Sequence, residues 1–164
     1  MKTRTRIITQ AAMIAALYVV LTVMANLLGL ASGVIQIRFS EALCVLPYFT
    51  AAAVPGLFIG CVLSNFITGS LLPDVIFGGL ATLLGAILTR KLRFQKWLAP
   101  IGPIISNTLI VPLVLRYAYG LKPLWFSFIT VGIGEILSCG VLGMILLFSL
   151  KKYSNKIFME EQIK

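Results

Sequence analysis

Histidine is missing from this chain altogether. That one absence removes histidine general bases, Ser-His nucleophile pairs and His-ligated zinc. Acidic side chains are nearly as scarce, with 5 Asp and Glu against 14 Lys and Arg. No glycine-rich phosphate loop occurs, so the chain is not expected to hydrolyse ATP itself. The 3 cysteines, Cys44, Cys61 and Cys139, lie inside apolar runs at no metal-ligand spacing and read as small core residues. Neither a cofactor nor a metal site is expected.

What is abundant is apolar. Of the 164 residues 59% are hydrophobic and only 12% charged, with a mean hydropathy of +1.01. This composition belongs to an integral membrane protein. A net charge of +9 would suggest nucleic acid in a soluble chain. Here the basic residues sit in clusters between apolar runs, the pattern of membrane orientation rather than of phosphate binding.

The first cluster, Lys2, Arg4 and Arg6, precedes an apolar run over 7–30. A signal peptide is the competing reading, but the run exceeds the usual h-region of roughly 7–15 residues and more spans follow. It reads as a first transmembrane helix with a cytoplasmic N-terminus. Ala11 and Ala15 are four apart, as are Ala12 and Ala16. Such a stripe of small side chains lets another helix come close, either inside the bundle or from a partner.

Between the first two apolar runs stands Gly33 to Leu43, with Arg38 and Glu41 three residues apart. Alternation from Val34 to Phe39 predicts a short extended segment, and Ser40-Glu41 the start of a helix. The two charges either pair with each other in an outside connector or serve a ligand. The run from Glu41 to Leu72 would make a helix of about 48 Å, against a hydrocarbon core of about 30 Å. Pro55-Gly56 divides it, which predicts two spans, 41–54 and 55–70. Three further spans follow at 74–88, 98–119 and 124–150. Arg90, Lys91, Arg93 and Lys96 then share one side with Lys151, Lys152 and Lys156. The expectation is an all-α membrane protein, residues 1–164 as one domain of six transmembrane helices with both termini cytoplasmic.

Glu41, Asp74 and Glu135 are the acids outside the C-terminal tail, facing Arg38, Arg116 and Lys122 on or near the outer half. Mutual neutralisation would account for them. Glu135 resists that account, because it lies roughly 16 Å into its span, near the midplane, where a charge needs a partner or a wet cavity. Asn65 and Asn107 add amides at span depth, for interhelical hydrogen bonds or for a ligand.

The runs Ile35 to Leu43, Leu46-Pro47-Tyr48-Phe49, Pro55 to Cys61, Asp74 to Gly78, Ala81 to Leu84 and Gly134-Glu135 together resemble the QueT family. These are substrate-binding (S) components of energy-coupling-factor (ECF) transporters, associated with queuosine precursors. The resemblance covers the chain from the first span to about Leu150. It implies a six-helix bundle in a bacterial-type plasma membrane that takes substrate from outside. The partners it implies are a transmembrane coupling (T) component and two ABC ATPases, and it gives Ala11, Ala12, Ala15 and Ala16 a docking role. A 7-deazaguanine ring presents adjacent N–H donors, which suit a carboxylate such as Glu135. Asn65 and Asn107 would serve its carbonyl and other nitrogens, and Tyr48 would stack on its face. Arg38, Glu41 and Asp74 would line the mouth or hold an aminomethyl ammonium. Alternatives are another vitamin-like ligand, a self-sufficient secondary transporter, or a small carboxylate-based membrane enzyme. Against the last two stand the missing internal repeat and the missing catalytic motifs.

Overall fold

A computed structural model describes residues 2–30 and 35–158. Every regular element among these residues is helical. Helix α1 runs Lys2–Leu27, followed by a 3-10 helix at Phe39–Tyr48, then α2 at Ala53–Ile67 and α3 at Leu72–Lys91. A short 3-10 turn, Lys96–Leu98, leads into α4 at Ile101–Tyr117. The last long helix is α5 (Leu124–Glu135), a π-helical stretch (Ile136–Leu142) and α6 (Gly143–Lys151) in unbroken succession, before the short α7 at Ser154–Ile157. Four stretches are long and apolar enough to cross a membrane: Arg4–Leu27, Leu72–Lys91, Lys96–Tyr117 and Leu124–Lys151. Ala53–Ile67 is a shorter apolar helix.

The expected span 41–54 takes a different form. It is a 3-10 helix of 10 residues, Phe39–Tyr48, and the chain turns over 49–52 before α2 begins. Ser40, Glu41 and all of Leu43 to Tyr48 are buried. Uniform burial is what a hydropathy reading registers, and it is silent on helix type. At about 2.0 Å per residue the 3-10 form covers roughly 20 Å, where the same residues as α-helix would cover about 15 Å. The expected extended segment begins at Val34, outside the described residues. From Gln36 to Arg38 the backbone is non-helical, with Arg38 at φ −108° and ψ 108°.

This segment is inserted into the bundle rather than lying across its end. The Arg38 backbone N–H donates to Ser138 Oγ at 3.1 Å. Gly134 lies so close to the Gln36 carbonyl that a Cβ there would collide with it. Both contacts fall near the middle of Leu124–Lys151. The chain therefore passes as extended backbone to mid-depth and continues as a 3-10 helix.

Helix ends sort by sequence into two groups. Thr50 donates to Gln10 Oε1 at 3.3 Å, and Arg90 Nη1 donates to the Pro47 carbonyl at 3.2 Å. Phe49 stacks on Phe158 at 5.2 Å, and Trp97 meets Phe148 edge-on at 5.3 Å. These contacts gather the basic segments at one end. At the other, Asn26, Ser70, Asp74, Tyr119 and Leu121 converge.

Candidate functional site

Two chambers fill the end opposite the basic segments. The inner one is lined by one face of each surrounding helix: Gly78 and Thr82 of α3, Asn107 and Val111 of α4, and Val131, Glu135 and Ser138 of the last helix. The steps of four and three residues are helical repeats, so each set projects in one direction. Cys61 contributes from α2, while Gln36, Arg38 and Glu41 close the wall from the inserted segment. The free space is about 20 Å³. That admits a single water but no ring. The outer chamber, about 220 Å³, is bounded by Thr22, Asn26, Asn65, Thr68, Ser70, Asp74 and Tyr119. A third hollow of about 190 Å³ lies beside it, with Lys122, Phe126 and Ser127 in its wall. Gln36 borders all three spaces and Arg38 the first two. The inserted segment is thus the partition between inside and outside.

Glu41 is held by the protein itself. Tyr18 Oη donates to Oε1 at 2.5 Å, while Cys44 Sγ and Asn107 Nδ2 donate to Oε2 at 3.1 and 3.3 Å. Next to this network, the Thr22 hydroxyl donates to Ser40 Oγ at 2.8 Å. The pairing with Arg38 considered from sequence is not what secures this carboxylate.

Glu135 is different. It is 8% exposed, and its Oε2 has no hydrogen-bond partner among the described residues. The Thr108 hydroxyl shares that condition, but lies against Gly132 rather than in the chamber wall. A buried carboxylate oxygen without a donor costs at least about 1–3 kcal/mol. Such an atom in a polar cavity is poised for a donor brought by a ligand.

Of the residues singled out from sequence, Glu135, Asn107, Arg38 and Glu41 come together in the inner chamber. Asn65 and Asp74 border the outer one with Arg38. Asn65 Nδ2 donates to the Asp74 backbone carbonyl at 3.5 Å, and Tyr119 Oη donates to Asp74 Oδ2 at 3.3 Å. Tyr48 stands elsewhere. It ends the 3-10 helix, packs edge-on against Phe49 at 5.0 Å, and so belongs to the basic end, away from both chambers. Tyr119 is one of several aromatics the sequence offers for covering a planar ligand, whereas Gln36, Thr82, Ser138 and Tyr18 were not anticipated as site residues. Thr82 lies eight residues after Asp74 and Ser138 three after Glu135, so helical spacing from the acids would have found both.

The alanine stripe divides. Ala15 is buried, and with Ala11 it faces α2, where a Cβ on Gly56 would stand 2.7 Å from the Ala11 carbonyl and one on Gly60 3.0 Å from that of Ala15. Ala12 and Ala16 point away from the bundle and are exposed. A larger groove of about 500 Å³ between α3 and α4 is walled almost wholly by apolar side chains such as Phe77, Leu80 and Leu113, which suits lipid chains.

A model of the QueT transporter family matches residues 8–152. The queuosine precursor transporter QueT of Lactococcus lactis subsp. cremoris (strain MG1363) is 41% identical over 96 residues, which are 56% of this chain and 56% of that relative. The match thus spans little more than half of the relative's length. No solved structure matches this chain.

Proposed function

Since the chain belongs to the QueT transporter family, we propose that it is the substrate-binding subunit of an ECF-type importer, taking up a queuosine precursor of the 7-deazaguanine class. The observation that carries this is Glu135 Oε2, buried, unpartnered and facing a polar chamber. The amino edge of a guanine-type ring supplies two parallel N–H donors, which fit a carboxylate. Asn107, already donating to Glu41, has its amide oxygen to offer, and Thr82 and Ser138 add hydroxyls around the ring. An adenine-type edge would leave Glu135 without matched donors and is rejected.

The ligand enters from the end where Asn26, Asp74 and Tyr119 converge. Space in the inner chamber is too small for a bicyclic ring, so binding requires the partition at Gln36–Arg38 to shift and join it to the outer chamber. The chain does no chemistry in this scheme. Energy comes from two ABC ATPases acting through a T component. Helix α1 is the docking element, because it is the least buried of the long spans and presents Ala12 and Ala16 outward. Ala11 and Ala15 support that face from behind by seating α1 on α2.

Reconstitution tests the whole reading. Purified chain in liposomes should bind a radiolabelled 7-deazaguanine precursor but accumulate it only when the T component, both ATPases and ATP are added. Accumulation by the chain alone would make it a self-sufficient transporter and end this proposal.

A further inference from the structure

The amide of Asn107 has two ends of nearly equal shape and opposite hydrogen-bonding sense. Asn107 is 3% exposed and lines the inner chamber, so the end that faces the free space decides whether α4 offers an acceptor or a donor there. Its neighbour settles which end that is. Asn107 stands 3.3 Å from Glu41 Oε2, and an ionised carboxylate has only acceptors to offer. The amide nitrogen must therefore turn to Glu41. The oxygen, on the opposite branch of the same planar group, is left for the chamber.

Glu41 is itself fixed in place. It is 2% exposed, and Tyr18 Oη donates to Oε1 at 2.5 Å while Cys44 Sγ donates to Oε2 at 3.1 Å. One helical turn beyond Tyr18, the Thr22 hydroxyl donates to Ser40 Oγ, so α1 grips the inserted segment at two adjacent residues. The carboxylate is thus held from α1 and from its own 3-10 helix, and Asn107 is the group that has to conform. An ionised acid accepts on both oxygens at once. A neutral amide at position 41 would satisfy Tyr18, the closest donor, with its oxygen and then face Asn107 with its nitrogen.

We propose that Glu41 is a positioning residue for ligand recognition: without touching the ligand, it holds the Asn107 amide with its oxygen towards the ring. This rests on the ring-binding reading given above. It adds that the polarity of the Asn107 contact is dictated from a neighbouring element. The inner chamber then presents acceptors from α4 and the last long helix together, Asn107 Oδ1 beside the vacant Glu135 Oε2. A reversed amide would set its own N–H groups against the N–H donors of the ring and leave both without acceptors.

The test is a double-mutant cycle read by titration calorimetry on the full chain in lipid nanodiscs. The probe is 7-cyano-7-deazaguanine, 7-aminomethyl-7-deazaguanine or queuine, whichever binds the unaltered chain most tightly. Glu41→Gln turns a nitrogen to Asn107 and reverses its amide, so affinity should fall at least roughly tenfold. Asn107→Asp alone sets two carboxylates against each other and should weaken binding by at least about as much. The double change Glu41→Gln with Asn107→Asp exchanges the two groups at unchanged net charge. The new glutamine then donates to the new carboxylate, whose second oxygen returns an acceptor to the chamber. Affinity should recover to within about threefold of the unaltered chain, a rescue that loss of a merely structural contact would not give. Unchanged affinity in Glu41→Gln overturns the proposal. So does a folded double variant that binds no better than Glu41→Gln, or no better than a tenth as tightly as the unaltered chain if the single variants do not fold. If none of the probes binds the unaltered chain, the deazaguanine reading falls and takes this one with it.

Discussion

Glu41 and Glu135 are two carboxylates in one chamber with opposite duties. Donors from α1, the 3-10 helix and α4 surround Glu41, so it organises the chamber wall. Glu135 keeps an oxygen vacant. Glu135→Gln preserves size but turns one acceptor into a donor that opposes the ring's N–H. Affinity for a 7-deazaguanine should fall by at least about 2 kcal/mol, roughly 30-fold, measured by titration on the purified chain. Binding retained within a few-fold would remove Glu135 from the site. These acids, with Arg38 and Asn107, were legible in the sequence because charged and amide groups stand out against apolar spans. Gln36, Thr82, Ser138 and Tyr18 were not. Hydroxyls are ordinary in membrane helices, so Thr82 and Ser138 gain meaning only when counted eight and three residues from an acid, and Tyr18 only from lying opposite Glu41 on another element. Tyr48 shows the converse. The chain offers many aromatics, and nothing local tells a ring-stacking side chain from one packing at the basic end.

Among the elements, α1 carries two alanine faces with different fates. Ala11 and Ala15 meet α2 at Gly56 and Gly60, where the backbones are too close for any added carbon. Ala12 and Ala16 are exposed beside Met13, Leu17 and Val20. A bulky residue therefore means different things one position apart. Ala15→Trp should overpack the helix pair, a cost of about 1–3 kcal/mol or more, and lower thermal stability and ligand binding together. Ala16→Trp should leave stability and binding intact while abolishing ATP-driven uptake with the partner subunits present. Normal uptake by Ala16→Trp would separate this face from docking. Spacing alone disclosed both alanine pairs but not which one the bundle consumes, since that depends on the glycines of α2. The long helices were legible from hydropathy. The 3-10 helix was not, because it is buried on every side and its apolar pattern matches that of any buried helix. Its inserted start at Arg38 and Glu41 was visible only as two charges out of place. The π-helical stretch Ile136–Leu142, directly after Glu135 and holding Ser138, had no signal in the apolar pattern either. Helical irregularities of this kind occur frequently at functional sites.

At the scale of the molecule, the helix ends segregate by charge. Gln10 with Thr50, Arg90 with Pro47, and Trp97 with Phe148 tie together the ends that carry Arg4 and Arg6, the 90–96 cluster and Lys151. The outer chamber and the third hollow lie towards the opposite end, with Asp74, Tyr119 and Lys122 in their walls. Four stretches are long and apolar enough to span; the six-span reading proposed from sequence adds α2 and the inserted segment with its 3-10 helix. On that proposed count the last long helix would return to the side on which α1 began, and the positive-inside rule would put that side in the cytoplasm with the outer chamber facing out. The arrangement can be read with a membrane-impermeant maleimide on intact cells. The native thiols Cys44, Cys61 and Cys139 are buried and should contribute little background. A cysteine replacing the exposed Lys122 should label from outside, whereas one replacing Lys96 should label only after the membrane is opened. Outside labelling at position 96 would invert the molecule and point its chambers at the cytoplasm, where an import subunit could not collect its substrate.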